Sequence, residues 1–308
     1  MTAIPAPSER FQGRTMRAAV MRGINRGLEI EELEIAEPGP GEVLVRLGAS
    51  GVCRSDLHVW NGDWPEVPVP IVLGHEGAGV VEEVGSRVDR VAPGETAILS
   101  WLPSCGACRS CLAGKPYLCL TAPDTVYRHV MPDGTTRLRS GDEAVHSFLT
   151  VGSFGEFAVV PESGVVPIEG TVGMDRAALV GCAVATGFGA VANTARVTVG
   201  ASAAVIGCGG VGLSVIQACR AHVTAPLIAV DRDASKLAAA RDFGATHVID
   251  ASRSDPISAI AEISGGVGVE FAFEAIGLKA TIEQAISVLA PGGMAVLVGM
   301  PAEGVMVE

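Results

Sequence analysis

The chain has 308 residues, which is long enough for two domains that each bury a hydrophobic core. Its 22 basic and 34 acidic residues give a net charge of −12 without a basic run, which argues against nucleic acid or an anionic membrane as the main partner. Residues 1–15 lack the shape of a signal peptide, so we predict an N-terminal tail and a cytoplasmic protein.

The first part of the chain, residues 16–183, is predicted to be mostly β. Short apolar runs between glycine and proline turns predict strands at 42–47, 79–84 and 155–160. Residues 121–150 are polar and irregular, and we predict a long surface loop there.

Four cysteines lie close together in the segment 101–120, namely Cys105, Cys108, Cys111 and Cys119. Thiolates spaced this closely in a loop can converge on one ion, and four of them complete a tetrahedral zinc site with no open position. Disulfides or a redox pair are the alternative, which an intracellular chain disfavours. We therefore predict a structural zinc loop at 101–120 and expect the chemistry elsewhere.

Two further cysteines and one histidine come from separate segments, namely Cys53, His75 and Cys182. Two thiolates and one imidazole would form a zinc site whose fourth position stays open, as in catalytic zinc centres. Each residue also has a plain structural alternative, because a lone cysteine is usually a small buried apolar residue. Asp56 and Glu76 are the candidates for a carboxylate that orients the ring of His75.

From about residue 184 onwards, apolar strands alternate with helices. Strands are predicted at 203–206, 227–230, 247–249, 269–273 and 295–298, and helices at 210–221, 234–242, 256–263 and 279–289. This alternation predicts a doubly wound α/β domain over 184–308, with a parallel sheet between two layers of helices.

The turn after the first of these strands has the pattern G-x-G-x-x-G, formed by Gly207, Cys208, Gly209, Gly210, Val211 and Gly212. Such glycines allow a tight turn and a close approach of the backbone to a pyrophosphate. Asp231 ends the next strand, where an acid binds the adenine ribose and repels a 2′-phosphate. The pattern therefore predicts a dinucleotide site that favours NAD over NADP. Lys236 is a further candidate for a ribose contact, while Arg232 either softens the preference or is a solvated charge.

Taken together, these residues closely resemble the zinc-dependent medium-chain alcohol dehydrogenase family. The run that starts at Gly74, with His75, Glu76 and Gly79 and then Gly85 and Val88, matches the zinc signature of that family. The resemblance covers the chain from about Met16. It implies a GroES-like catalytic domain over 16–183 and a Rossmann domain over 184–308. It also implies two zinc ions, one on Cys53, His75 and Cys182 and one on the four-cysteine loop.

The resemblance implies roles for further residues. Ser55 and His58 look like a proton relay, and Arg54 looks like a contact to the cofactor pyrophosphate. Thr186 lies where the family packs against the nicotinamide. Trp101 sits where a substrate-pocket aromatic is expected, with ordinary core packing as its alternative.

The activity implied is reversible hydride transfer from a primary alcohol, aromatic ones included, to NAD⁺. The alternatives are a formaldehyde dehydrogenase acting on a thiol adduct, a zinc-free reductase of the same superfamily, and a non-catalytic zinc- and nucleotide-binding fragment. Family members form dimers or tetramers, so we expect a homo-oligomer. They also continue with a sixth strand, so we expect a C-terminally truncated member whose sheet ends on an exposed, apolar fifth strand.

Overall fold

A computed structural model describes residues 10–301 and 304–307 of the chain. The chain divides into two compact units, Met1–Cys182 and Ala183–Glu308, next to the predicted domain boundary. Residues 1–9 of the predicted tail lie outside the described residues. Arg10 is buried, and its Nη1 lies 3.5 Å from Oε1 of the buried Glu42. The described end of the predicted tail is therefore anchored to the first unit.

The first unit consists of a closed five-stranded barrel and a five-stranded antiparallel sheet. Its strands are β1 (Thr15–Met21), β2 (Glu29–Ile35), β3 (Glu42–Gly51), β4 (Ile71–Val72), β5 (Glu76–Val84), β6 (Thr96–Leu99), β7 (Leu138–Ser140), β8 (Glu143–Ser147), β9 (Phe157–Pro161) and β10 (Val165–Ile168). The barrel has the order β1-β2-β7-β8-β4, and the sheet has the order β10-β6-β5-β3-β9. The mostly β character and the three predicted strands are confirmed, since these correspond to β3, β5 and β9.

Short helices complete this unit, and one long helix begins near its end and continues into the second unit. The short ones are α1 (Arg54–Asn61), α2 (Arg109–Leu112) and α3 (Pro123–Val126). The long helix Met174–Ala195 includes α4 (Met174–Leu179) and α5 (Ala185–Gly189), joined and followed by wider π-helical turns. Among the described residues it is the one helix long and apolar enough to cross a membrane. Ala177 and Ala178 pack against the antiparallel sheet, so core packing accounts for its apolar first turns.

The prediction of a long surface loop at 121–150 is wrong. This segment contains α3 and the antiparallel pair β7 and β8, which belongs to the barrel. Val126, Val145 and Phe148 are completely buried. The strands are only three and five residues long and each has a single buried residue, so their periodicity is too short to recognise.

The second unit contains a parallel sheet with the order β13-β12-β11-β14-β15. Its strands are β11 (Ala203–Ile206), β12 (Leu227–Asp231), β13 (His247–Asp250), β14 (Val269–Glu274) and β15 (Leu289–Leu297), and its helices after α5 are α6 (Gly210–Ala221), α7 (Ala234–Phe243), α8 (Pro256–Ile263) and α9 (Lys279–Ser287). Alternate residues of β11 belong to different cores: Ala203 and Val205 to one, Ala204 and Ile206 to the other. The continuously apolar strands are therefore covered on both faces, as predicted.

The last helix and strand differ in their bounds from the prediction. Helix α9 ends at Ser287 rather than at 289, and β15 begins at Leu289 rather than at 295. Pro291, Gly292 and Gly293 interrupt the apolar pattern, and the pairing of β14 with β15 shifts register in this region. These breaks conceal the early part of the strand from its sequence. As expected, β15 lies at an edge of the sheet, with Met294 and Leu297 exposed.

Candidate zinc and nucleotide sites

The four cysteines of the predicted zinc loop converge in the structure. Their Sγ atoms all lie within 4.8 Å of one another, and all four are free thiols. Helix α2 starts directly after Cys108 and carries Cys111, while a 3₁₀ turn at Pro116–Leu118 leads into Cys119. The loop thus brings four sulfur atoms to one point, which suits a tetrahedral zinc ion.

Hydrogen bonds lower the pKa of the Cys108 and Cys119 thiols, whereas burial and the neighbouring Cys108 raise the pKa of the Cys111 thiol to about 12. The N–H of Cys105 donates to Sγ of Cys119 over 3.3 Å, and the N–H of Cys108 donates to Sγ of Cys105 over 3.3 Å. Burial opposes a charge on Cys119, but hydrogen bonds with the Thr121 hydroxyl and from Cys105 outweigh it and lower the pKa of Cys119 to about 5. Since thiolates are soft zinc ligands, this donor set fits Zn²⁺.

A second cluster joins the three predicted ligands of the catalytic zinc. The ligand atoms of Cys53, His75 and Cys182 lie within 4.8 Å of one another, together with a carboxylate oxygen of Glu76. Cys53 stands at the start of α1, and His75 directly precedes β5. The pairing of β3 with β5 sets Gly51 opposite Glu76, which brings these two segments together. Cys182 comes from a π-helical turn of the long helix.

Glu76 lies closer to this cluster than the sequence analysis predicted. The prediction placed it behind His75, whereas its buried carboxylate is one of the four converging groups. A Cβ atom at Gly51 would collide with this carboxylate. A glycine directly across the sheet is therefore what leaves room for the acid, and this pairing is not visible in the sequence.

Asp56 connects the two loops that carry Cys53 and His75. Its Oδ2 accepts the N–H of Cys53 at 2.8 Å, and its Oδ1 accepts the N–H of Gly74 at 3.0 Å. The same Oδ1 lies 3.4 Å from Nδ1 of His75, a charge contact rather than a well-aligned hydrogen bond. The predicted position of Asp56 next to His75 is thus present in the structure.

The charges of the cluster suit a cation. The hydrogen bond with Cys182, reinforced by His75, lowers the pKa of the Cys53 thiol to about 3 against the effect of burial. Burial also opposes a charge on His75, but Asp56 and Cys53 outweigh it and raise its pKa to about 9. A buried site that favours both a thiolate and a positive neighbour fits Zn²⁺, which would take the place of the proton.

The two predicted relay residues lie on α1. The Ser55 hydroxyl is 3.7 Å from Sγ of Cys53, beside the ligand cluster. Nδ1 of His58 lies 2.7 Å from Oδ2 of Asp63, and its ring stacks on Trp64 at 5.4 Å. Asp63 was missed in the sequence analysis. The left-handed turn at Gly62 brings it back towards His58, and this turn residue was the available signal.

Three further residues were predicted to contact the substrate or the cofactor, and they are found in both units. Trp101 is half-buried and packs against two hydrophobic clusters of the first unit, which agrees with its core-packing alternative. Arg54 is exposed at the start of α1. Thr186 is half-buried in α5 of the second unit. Their contacts with substrate or cofactor stay predictions.

The glycine-rich turn has the geometry that a dinucleotide requires. Gly207 has a φ of +97°, and a Cβ at Gly212 would collide with the carbonyl of Gly207, so both positions need glycine. A Cβ at Gly209 would meet none of the described residues, which leaves open space beside the backbone. Helix α6 begins there without a side-chain cap, so the N–H groups of its first turn are available to an anion.

Asp231 connects this turn to the end of β12. Its carboxylate accepts the N–H groups of Cys208 at 2.8 Å, Arg232 at 2.7 Å and Asp233 at 3.0 Å. The side chain is only half-buried, and a carboxylate accepts about four hydrogen bonds, so it retains capacity for a ribose hydroxyl. Arg232 and Lys236 are both exposed nearby in sequence, Lys236 in the first turn of α7.

Two family models match the chain. An alcohol dehydrogenase GroES-like domain matches residues 39–170, and a zinc-binding dehydrogenase domain matches residues 210–307. The chain is also 38% identical over 298 residues to the probable S-(hydroxymethyl)glutathione dehydrogenase 1 of Schizosaccharomyces pombe, covering 96% of this chain and 79% of that protein. The chain belongs to the zinc-dependent medium-chain alcohol dehydrogenase family.

Solved structures support the same family. Benzyl alcohol dehydrogenase from Acinetobacter calcoaceticus is 34% identical with a TM-score of 0.89, over 96% of this chain and 80% of that chain. A zinc-binding dehydrogenase from Sinorhizobium meliloti 1021 bound to NADP is 29% identical with a TM-score of 0.78, also over 96% and 80%. The predicted combination of a GroES-like domain and a nucleotide-binding domain is confirmed, and the protein is an oxidoreductase of the alcohol dehydrogenase family.

Proposed function

We propose that this protein is a zinc- and NAD-dependent dehydrogenase that interconverts a primary alcohol, aromatic ones included, and its aldehyde. The observation that carries the proposal is the convergence of the half-buried Cys53 with the buried His75 and Cys182 at one point of the first unit. A zinc-free reductase would not need two complete sets of ligands. The uncapped glycine-rich turn supports a nicotinamide dinucleotide as the second component.

The residues of the cluster have distinct tasks in this proposal. Cys53, His75 and Cys182 would hold the catalytic zinc, which when bound supplies a Lewis acid for the alcohol oxygen. Asp56 keeps the loops of Cys53 and His75 in position through its backbone hydrogen bonds. The four-cysteine loop would hold the second, structural zinc.

Proton transfer is the task of α1. Ser55 lies beside Cys53 and would accept the proton of the alcohol, and His58 would pass it on to solvent. Asp63 would orient the ring of His58 through their 2.7 Å contact. The nicotinamide supplies the hydride acceptor, because no protein side chain can take up a hydride.

The relatives support two classes of substrate. The benzyl alcohol dehydrogenase supports aromatic primary alcohols, and the S-(hydroxymethyl)glutathione dehydrogenase supports thiol adducts of formaldehyde as a second candidate. A non-catalytic zinc- and nucleotide-binding role is the alternative from another class. Measuring metal and turnover together separates these possibilities.

The purified chain is expected to contain about two zinc ions and to reduce NAD⁺ with benzyl alcohol. Elemental analysis gives the metal content, and absorbance of NADH gives the turnover. Activity confined to formaldehyde mixed with glutathione would favour the second candidate. Two zinc ions without turnover on a broad panel of alcohols, aldehydes and thiol adducts would contradict the enzymatic proposal.

Replacing Asp231 with serine is expected to reverse the cofactor preference. Charge-assisted hydrogen bonds contribute about 1.5–3 kcal/mol, so kcat/KM for NAD⁺ should fall about 10- to 100-fold while that for NADP⁺ rises. Asp250→Ser is the matched control, because Asp250 pairs with Asp231 at the end of β13. A wild-type preference for NADP⁺, as the NADP-bound relative allows, or an unchanged ratio in Asp231→Ser, would contradict the role of Asp231.

A further inference from the structure

A completely buried carboxylate lies at the carboxyl end of β14, outside the residues discussed so far. Glu274 has no exposed surface, and it stands opposite Ile206, the last residue before the glycine-rich turn. Burying a carboxylate is costly unless hydrogen bonds compensate for the lost water. Strand ends at this edge of a doubly wound sheet carry the loops that surround a ligand. A buried carboxylate at this position therefore suggests a role in shaping the loops around the ligand.

The side-chain hydrogen bonds of Glu274 all lead to the segment that follows it, residues 276–281. Its Oε1 accepts the N–H of Ile276 at 2.9 Å, the N–H of Gly277 at 2.8 Å and the hydroxyl of Thr281 at 2.7 Å. Its Oε2 is buried without a hydrogen-bond partner among the described residues, 2.5 Å from where a Cβ of Gly299 would be. One oxygen thus fixes the turn after β14 and the start of α9 at the same time.

Residues 275–277, which form the turn after β14, pack against the glycine-rich turn. The N–H of Ala275 donates to the carbonyl of Ile206 over 2.9 Å. The side chain of Ile276 fills the space beside Gly207, where its Cγ1 would lie 2.5 Å from an added Cβ. Ile276 is nevertheless partly exposed, so it is both a packing residue and part of the surface around the turn. A shift of residues 275–277 would therefore change the shape of the turn at Gly207.

We propose that Glu274 is a positioning residue for the dinucleotide: it holds Ile276 and Gly277 in the one conformation that keeps the turn at Gly207 open to the cofactor. Glu274 does not touch the cofactor, because its carboxylate is enclosed. Its contribution is carried by the backbone of residues 275–277. The inference rests on the proposed nicotinamide cofactor, and it concerns the affinity for that cofactor rather than the chemical step.

The test is a fluorescence titration of the zinc-loaded protein with NADH. Glu274→Gln keeps the shape of the side chain but weakens three charge-assisted hydrogen bonds, so its Kd for NADH should rise about tenfold. KM for NAD⁺ should rise in parallel, while KM for the alcohol and the zinc content stay unchanged. Glu270→Gln is the matched control, because Glu270 accepts the N–H of Ser202 at the opposite end of the same strand.

A second variant covers the case in which Glu274→Gln does not fold. Ile276→Ala removes the partly exposed side chain beside Gly207 and should also raise the Kd for NADH, with little change in thermal stability. If the wild type binds NADH but neither folded variant binds it more weakly than Glu270→Gln, the inference is wrong and Glu274 only stabilises the fold. If the wild type itself does not bind NADH, the proposed function fails instead.

Discussion

Replacing Cys53 with serine is expected to abolish alcohol turnover and to leave about one zinc ion per chain. A zinc ion contributes several kcal/mol to the stabilisation of a transition state, and each 1.36 kcal/mol corresponds to a tenfold change in rate. Loss of a thiolate ligand should therefore lower kcat by at least about 1000-fold. The second cluster does not share any residue with the first, so its metal should stay bound.

Zinc content and kcat are measured on the same preparation of Cys53→Ser. Cys219→Ala is the matched control, because Cys219 is a buried cysteine of the hydrophobic core that belongs to neither cluster. It should keep both zinc ions and nearly full activity. The assignment of the catalytic site would be wrong if Cys53→Ser kept its turnover, or if it lost both metals while the control lost neither.

The two clusters differ in how far they could be predicted from residues alone. The four cysteines lie within one loop, so their spacing indicated a shared ion without knowledge of the fold. Cys53, His75 and Cys182 were assembled chiefly through the family resemblance. Their convergence depends on the pairing of β3 with β5 and on a turn of a distant helix, which are long-range features. Each of these residues, taken alone, could equally be an ordinary core residue, so the sequence does not reveal that the three side chains meet.

The details of the site that the sequence did not reveal have the same physical origin. Glu76 joins the cluster because a glycine faces it across the sheet, and Asp63 reaches His58 through a left-handed turn. The parallel sheet was predictable because its buried strands are continuously apolar, whereas Pro291 and the two glycines after it concealed the start of β15. The homo-oligomer and the cytoplasmic location stay predictions, because a single chain does not test them.

Replacing Cys111 with serine is expected to destabilise the protein rather than to inactivate it. Neither α2 nor the following 3₁₀ turn contains a buried residue, and Leu112, Tyr117 and Leu118 are exposed. Apolar burial therefore contributes little to the order of α2 and this turn, and we expect the free energy of metal binding to supply most of it. Loss of this zinc should cost several kcal/mol, which corresponds to a decrease in Tm of about 10 °C.

The contrast with Cys53→Ser is what makes the Cys111 experiment decisive. Cys111→Ser should also keep about one zinc ion, but below its Tm its kcat should stay within about threefold of the wild type, since the catalytic ligands are intact. Limited proteolysis should cut it within residues 101–120.

Ser110→Ala, in the same turn of α2, is the control and should show the wild-type Tm. An unchanged Tm in Cys111→Ser would mean that packing, not the metal, holds the loop. A loss of turnover as large as that of Cys53→Ser would mean that the two metal sites are not independent.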